Sequence, residues 1–234
     1  MKQLTFGELT VRLAGGTDGD GGGTGPVVVL MHGFAAPADD LVPFAGVLEV
    51  PSEVRFAFPE GPARLPPQYG QGRAWWMIDS TRLELVAMTG DMSLVTEVEP
   101  EGLDDARNKL VNCLDALEEA LAPSKLVIGG FSQGAMLACD VVLRSQRQFD
   151  GLVMLSGAMV AGPIWRPLMP NRSDLSVFMS HGEEDPILPF EIADRLRTEL
   201  GEAGLNVMWV PFHGGHQIPA NVVSGLSHFL QSVS

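Results

Sequence analysis

Short apolar runs alternate with helical periodicities along most of the chain, and this alternation restricts the fold more than any other feature. The runs are apolar at consecutive positions, which is typical of parallel strands that helices cover on both faces. They occupy residues 27–31, 54–58, 125–128, 152–155, 175–179 and 207–210. The pattern predicts an α/β fold with a mostly parallel, twisted sheet and helices on both faces.

Between these runs, apolar residues recur at helical spacing. Between Leu103 and Leu121 they recur every three or four residues, and Asp104 and Asp105 fall in the first turn, where acidic side chains are favourable. Helices are predicted over 103–121, 136–147, 192–200 and 218–230. The first residues differ, because 4–13 alternates loosely and predicts one or two edge strands, whereas 17–25 predicts a flexible turn.

The segment 61–102 breaks the alternation. It contains several prolines and glycines and the aromatic pair Trp75–Trp76. Long irregular connections of this kind serve as lids or binding loops, and a crossover decorated with an extra short strand or helix is the other interpretation. No interdomain linker or internal repeat is visible, so the 234 residues are predicted to form a single domain, 1–234.

Composition excludes several classes of partner. The chain has 15 basic and 29 acidic side chains and a net charge of −14, which argues against nucleic acid and anionic membrane surfaces. No apolar run approaches the roughly 18 residues needed to cross a bilayer, and no secretory signal is visible. The two cysteines, Cys113 and Cys139, give neither a disulfide framework nor a metal-binding spacing. We therefore expect a cytoplasmic protein with no integral membrane association.

Residues 130–134, GFSQG, match the pattern G-x-S-x-G between a predicted strand and a predicted helix. This is the setting of a nucleophile elbow, a sharp turn that exposes a serine at the carboxyl edge of a sheet. The flanking glycines, Gly130 and Gly134, suit a turn with no room for side chains. The alternative is a glycine-lined turn in which Ser132 caps a helix.

A nucleophilic serine needs a base and an orienting carboxylate, which in this fold follow in the order serine, acid, histidine. The loop after the run 175–179 contains Glu183, Glu184 and Asp185. We predict Asp185 as the acid, because Pro186 fixes the turn after it and the two glutamates are typical of solvated side chains.

The loop after the run 207–210 carries two histidines, His213 and His216. We predict His216 as the base, because the Gly214–Gly215 pair lets the backbone bring it close. A metal site at this histidine pair is disfavoured, since no helical H-x-x-x-H pattern or cysteine ligand accompanies it. No metal is predicted.

An oxyanion hole needs two backbone N–H groups directed at the developing negative charge. One is predicted from Gln133, the residue after the serine, and the second from Phe34 in the loop after the run 27–31. Gly33 permits close approach in that loop. His32 is interpreted as a structural residue that braces it.

Five segments resemble the phospholipase/carboxylesterase family of α/β-hydrolases, which includes the acyl-protein thioesterases. They are LMHGF at 30–34, RAWWMID at 73–79, GGFSQGA at 129–135, HGEEDPILPF at 181–190 and GGHQIP at 214–219. The resemblance implies an α/β-hydrolase fold without a large cap domain and a triad of Ser132, Asp185 and His216. It also implies hydrolysis of carboxylic esters or thioesters without a cofactor, and it allows a homodimer.

These observations together predict a serine carboxylesterase that cleaves small to medium esters through an acyl-enzyme. An acyl-protein thioesterase and a lysophospholipase use the same residues and remain alternatives, and a non-catalytic binding protein on this scaffold is a remote one. Cys139 is interpreted as a packing residue rather than a nucleophile. Leu65, Trp75, Trp76 and Trp165 are candidates to line an apolar acyl pocket, although aromatic residues with such spacing suit a plain core equally well.

Overall fold

Nine strands form one sheet in this computed structural model, which describes residues 1–234. The strands of the whole chain are β1 (Lys2–Phe6), β2 (Leu9–Gly16), β3 (Asp20–Gly22), β4 (Val27–Met31), β5 (Arg55–Pro59), β6 (Ala63–Arg64), β7 (Arg73–Ala74), β8 (Leu126–Phe131), β9 (Gly151–Leu155), β10 (Ser176–Gly182) and β11 (Asn206–Phe212). The order across the large sheet is β1-β2-β5-β4-β8-β9-β10-β11, and β3 pairs with β2. All neighbours from β5 to β11 are parallel, as predicted.

Helices cover both faces of this sheet. They are α1 (Phe44–Val47), α2 (Ser80–Thr89), α3 (Ser93–Thr96), α4 (Leu103–Leu121), α5 (Gln133–Arg144), α6 (Gly162–Trp165), α7 (Phe190–Glu202) and α8 (Ala220–Val233). Apolar residues of α4, α5 and α7 join one core cluster, and those of α8 join a second. Alternate residues of β4 enter the two clusters, because successive side chains of a strand point to opposite faces. None of the helices combines the length and apolar character that crossing a bilayer requires.

Helix α4 shows how the periodicity produces this layering. Its bounds are the predicted ones, and Leu103, Ala106, Leu110, Leu114 and Leu117 are fully buried along one stripe. That stripe packs on the sheet while the acidic side chains of the same helix remain in water, as amphipathic helices do.

Of the one or two edge strands predicted over 4–13, β1 is the edge strand, and β2 lies inside the sheet between β1 and β5. Two other sequence predictions need correction. The predicted flexible turn at 17–25 contains the short strand β3. Strand β11 is not buried on both faces, because it lies at the end of the sheet, and only Phe212 among its residues is buried.

The segment 61–102 is a decorated crossover. It contains the two-stranded antiparallel sheet of β6 and β7, followed by α2 and α3. Whether it also works as a lid stays a prediction, and so does the single domain, which the continuous sheet from β1 to β11 supports. The carboxyl ends of β4, β8, β10 and β11 meet at one edge of the sheet, the edge where ligands bind in such folds.

Candidate active site

Ser132 lies in a sharp turn between the last residue of β8, Phe131, and the first residue of α5, Gln133. Its backbone has φ 52° and ψ −117°, a strained conformation for a residue other than glycine. A Cβ on Gly130 would lie 2.4 Å from the Met31 carbonyl oxygen, and one on Gly134 would lie 2.2 Å from the same atom. The two glycines therefore let the turn pack against the end of β4, as a nucleophile elbow requires.

Asp185 and His216 are joined by a hydrogen bond. The distance from His216 Nδ1 to Asp185 Oδ2 is 2.7 Å, and the Asp185 side chain is fully buried. Asp185 Oδ1 accepts from the backbone N–H groups of Ile187 and Leu188, at 2.8 and 3.0 Å. Because the carboxylate only accepts, His216 carries its proton on Nδ1, which leaves Nε2 free as a proton acceptor.

The competing acid and base candidates lie apart from this pair. The His213 side chain is 90% exposed and contacts Glu183 at 2.6 Å, and Glu184 is exposed. The structure therefore brings together the acid and the histidine that the sequence predicted, and it leaves their three neighbours at the surface.

The His216 imidazole lies next to the elbow. Its ring centroid is 4.7 Å from that of Phe131, the residue directly before Ser132. No hydrogen bond joins the Ser132 hydroxyl to His216 in this structure. Such bonds are commonly long in a free enzyme and tighten when substrate binds.

The two predicted oxyanion residues also converge on the elbow. A Cβ on Gly33 would lie 3.3 Å from Ser132 Cβ, so the loop carrying Phe34 runs directly beside the serine. Gln133 begins α5, and the N-terminus of a helix favours negative charge. Its buried side-chain amide accepts from Trp75 N at 2.9 Å and donates to Trp76 O at 2.9 Å, a pair of contacts that the sequence analysis did not find.

His32 braces the loop that carries Phe34. Its Nδ1–H donates to Gly33 O at 2.8 Å, and its Nε2 accepts from Gly61 N at 2.9 Å. Burial lowers the pKa of His32, so the ring is neutral, as these two contacts require. The Trp75 indole N–H donates to His32 O at 3.0 Å. The segment around Trp75 thus contacts Gln133 and the loop that carries Phe34.

The four residues predicted to line an acyl pocket are all buried. For Trp165 the pocket prediction is wrong, because its side chain has no exposed surface. Its indole N–H donates to Asp140 Oδ1 at 2.8 Å inside the core. Trp75 is 2% exposed and contacts the loop that carries Phe34 through His32 O, whereas Trp76 and Leu65 are 6% and 8% exposed.

The cysteines are buried and unsuited to nucleophilic attack. Burial raises the pKa of Cys113 to about 12, and burial together with the neighbouring Asp140 charge raises the pKa of Cys139. A thiolate is the reactive form of cysteine, so these environments suppress it. Both residues are packing residues, as expected for Cys139.

A mostly parallel sheet, helices on both faces and a strand–serine–helix elbow define an α/β-hydrolase. The profile of the phospholipase/carboxylesterase family matches residues 22–234, and the chain belongs to that family of hydrolases.

Relatives agree with this assignment. The chain is 26% identical over 189 residues to acyl-protein thioesterase 1 of Gibberella zeae, covering 76% of this chain and 77% of the relative. It is 27% identical over 189 residues to acyl-protein thioesterase 1 of Aspergillus fumigatus, covering 77% of each. A carboxylesterase structure from Mesorhizobium loti has the same fold, with a TM-score of 0.74 at 16% identity over 98% of this chain and 97% of the other.

Proposed function

We propose that this chain is a serine carboxylesterase that cleaves small to medium carboxylic esters through an acyl-enzyme, an activity of the EC 3.1.1 type. The observation that carries the proposal is the 2.7 Å contact between His216 Nδ1 and the buried Asp185 carboxylate, next to the elbow that exposes Ser132. Three residues from three separate loops supply a nucleophile, a base and an orienting acid.

In the proposed mechanism, Ser132 Oγ attacks the acyl carbonyl while His216 Nε2 takes the hydroxyl proton. Asp185 holds the imidazole in the productive tautomer and stabilises the imidazolium. His216 then gives that proton to the leaving alkoxide, and an acyl-serine ester remains. Water repeats the sequence on this ester and releases the acid. The backbone N–H groups of Phe34 and Gln133 would each lower the barrier by roughly 3 kcal/mol by binding the oxyanion.

Replacing the proposed nucleophile tests the assignment. We expect Ser132→Ala to lower turnover of p-nitrophenyl acetate by about 10⁶-fold, because the residues of a triad act as a unit. A fluorophosphonate should label the wild-type enzyme and not this variant. His216→Ala should be similarly inactive, whereas His213→Ala should be active, because its side chain is 90% exposed and contacts Glu183 instead.

Two results would overturn the assignment. Loss of activity in His213→Ala with retention in His216→Ala would move the base to the other histidine. A wild-type protein that neither turns over esters nor reacts with the fluorophosphonate would be a binding protein on a hydrolase scaffold.

An acyl-protein thioesterase is the second candidate function, because both relatives described above carry that name. A lysophospholipase would use the same residues. Rates on p-nitrophenyl esters of two to sixteen carbons, compared with a matched thioester series, separate these activities. A steep preference for long thioesters would replace the carboxylesterase proposal, and a preference for lysophospholipids would support the third activity.

The remaining proposals concern substrate, assembly and location. We propose a small-molecule ester or acylated substrate bound at the carboxyl edge of the sheet, with Leu65 and Trp76 contributing to the acyl site. A homodimer and a cytoplasmic location follow from the family resemblance and the cysteine content. Sedimentation of the purified protein and fractionation of the source cells test these two proposals.

A further inference from the structure

Asp185 has one more polar neighbour than the proposed triad uses. Its Oδ2 atom, which accepts from His216, also lies 3.3 Å from His181 Nε2. His181 is a residue of β10, and its side chain is fully buried. His181 opens the family-like segment 181–190, in which the sequence predicts no role for it.

The contacts of His181 determine its protonation. Nε2 lies 2.8 Å from Leu188 O, which can only accept, so Nε2 carries the proton and donates it to Leu188 O, while Asp185 Oδ2 lies 3.3 Å away. Burial lowers the pKa of His181, and Asp185 and His216 are the charged or titratable groups that act on it. The ring is therefore neutral, and it adds no positive charge that would compete with His216 for the carboxylate.

The other nitrogen of this ring, Nδ1, is buried and has no hydrogen-bond partner. A neutral ring protonated on Nε2 makes Nδ1 an acceptor, so a hydroxyl or a water is the donor that it lacks. An unpaired acceptor in the core lowers the free energy of unfolding, so a nearby donor would stabilise the fold.

Ser156 supplies the matching donor. It directly follows β9, it is fully buried and its Oγ is also without a partner. Leu155 pairs with Ser180 in the parallel register, and Ser156 N donates to Ser180 O at 2.9 Å, so Ser156 and His181 occupy adjacent positions on neighbouring strands. A rotation of the serine hydroxyl group about χ1, or a single bridging water, would satisfy both atoms.

Ser156 lies at the end of the strand that neighbours His181. Leu152 and Met154 of β9 and Val177 and Met179 of β10 belong to one core cluster, and alternation along β10 continues that face to His181. Ser156 also holds a φ of 48°, a left-handed conformation that is uncommon for serine. Such conformations persist where the surrounding structure demands them, and they cluster at functional sites.

We propose that His181 is a positioning residue for the proposed triad, that its Nε2–H holds the loop of Asp185 through Leu188 O and contacts Asp185 Oδ2, and that the Ser156 hydroxyl fixes the His181 tautomer through Nδ1. The proposal rests on the proposed function. His181 also connects β10 to the loop that carries the acid, since it donates to Leu188 O while Leu188 N donates to Asp185 Oδ1. The carboxylate thus has polar neighbours at both of its oxygens. The oxygen that accepts from His216 Nδ1 therefore has a fixed position.

Three variants, whose kcat and KM are measured with p-nitrophenyl acetate, test the proposal. His181→Phe keeps an aromatic ring in the site and removes the donor, and we expect kcat to fall about 10- to 100-fold while KM changes less than about twofold, because small misplacements of catalytic groups act on the chemical step. His181→Gln restores an N–H near the position of Nε2 and should recover most of the lost kcat. Ser156→Ala should lower kcat by about threefold and should add nothing in the His181→Phe background.

The matched control is Phe190→Leu. Phe190 contacts the His181 ring edge-on at a centroid distance of 6.3 Å and makes no hydrogen bond to Asp185. Phe190→Leu should lower the melting temperature and leave kcat of the folded enzyme unchanged. The proton resonance of His216 Nδ1–H, which reports its bond to Asp185, should shift in His181→Phe and stay in place in Phe190→Leu.

Several outcomes would overturn the inference. Wild-type kcat in folded His181→Phe would do so, and so would a His181→Gln variant that folds and is no better than His181→Phe. Ser132→Ala is measured alongside, so that the two proposals fail separately. An inactive Ser132→Ala with a fully active His181→Phe contradicts only the role of His181, whereas an active Ser132→Ala contradicts the proposed function itself.

Discussion

The segment 61–102 divides into a first half of residues 61–76 and a second half of residues 77–102, and the two halves lie in different environments. Residues 73–76 lie between the elbow and the loop after β4, with Ala74, Trp75 and Trp76 all buried. Residues 77–102 form α2, α3 and their connections, and Thr96 is the only buried residue among them. Residues 73–76 are therefore part of the folded core beside the carboxyl edge of the sheet, and the second half is an exposed addition.

Hydrogen bonding explains the difference better than hydrophobicity does. Trp75 and Trp76 are joined through their backbones to the amide of Gln133, and Arg73 O accepts from Ala35 N at 2.9 Å in the loop that carries Phe34. The second half is connected to the rest by ion pairs. Glu97 contacts Arg166 at 2.6 Å with both side chains about 30% exposed, and Glu99 contacts Arg144. Four apolar side chains of the second half are exposed to solvent: Met77, Leu83, Leu85 and Met88.

The largest expected effect is at Trp75. Trp75→Ala should lower the free energy of unfolding by about 3–5 kcal/mol, because a large buried ring is lost and a cavity remains. It should also lower kcat of the folded fraction, since the indole N–H that supports His32 O is removed. Chemical denaturation and active-site titration measure the two effects separately.

Trp165→Ala is the matched control for this prediction. Trp165 is equally buried, but its indole N–H donates to Asp140 and not to the loop that carries Phe34. We expect a similar loss of stability with kcat per active site unchanged. Equal losses of kcat in the two variants would show that Trp75 has no specific connection to the catalytic edge.

The next effect is at the Gln133 side chain. Gln133→Met has a similar size and keeps its own backbone N–H, but it leaves Trp75 N and Trp76 O without partners in the core. We expect kcat to fall about 10- to 100-fold, less than the 10²–10³ that follows complete loss of an oxyanion donor. Affinity for a boronic acid that mimics the tetrahedral intermediate should fall by the same factor.

Gln146→Met is the matched control for Gln133, because Gln146 is an exposed glutamine just beyond the end of α5. It should leave both kcat and boronic acid affinity unchanged. A Gln133→Met enzyme with wild-type affinity for the boronic acid would mean that the side chain does not position the oxyanion donor.

Local patterns in the sequence were sufficient for the main parallel strands, for the four longest helices packed on the sheet and for the order of the candidate site, whereas α1, α6 and the short elements of 61–102 were not predicted. The apolar run at 27–31 and the periodicity at 103–121 have the bounds of β4 and α4, because both signals arise within the element itself. The elbow at Ser132 and the pair of Asp185 and His216 follow from strand ends, which a parallel sheet gathers at one edge.

Contacts between distant parts of the chain could not be read in this way. The amide of Gln133 and the backbone of Trp75 are 58 residues apart, and no local pattern records their hydrogen bond. Trp165 is a pocket candidate and a core candidate alike in the sequence, because a lone tryptophan gives the same pattern in both, and only its burial and its hydrogen bond to the Asp140 carboxylate distinguish the two. His181 was missed because its role depends on register with the neighbouring strand.

The smallest effects are expected in α2. Leu85 and Met88 are 44% and 82% exposed, so Leu85→Ser and Met88→Ser should change the free energy of unfolding by no more than about 0.5 kcal/mol. Leu65→Ser is the comparison in the first half, and it should cost more because Leu65 is 8% exposed. Denaturant titration of the three variants measures this contrast, and a loss of more than about 1.5 kcal/mol in either α2 variant would contradict the exposed placement of the helix.

The same two α2 variants separate a lid from a mere decoration. A lid that contacts the acyl chain would raise KM for the sixteen-carbon p-nitrophenyl ester when Leu85 and Met88 become serine, and it would leave KM for the two-carbon ester unchanged, since a short acyl group does not reach a distant apolar surface. Each buried methylene contributes about 0.8 kcal/mol, so loss of even two or three such contacts gives a readily measured increase. Equal KM values for both esters in wild type and variants would mean that α2 takes no part in acyl binding, and the functional half of the segment would then end at Trp76.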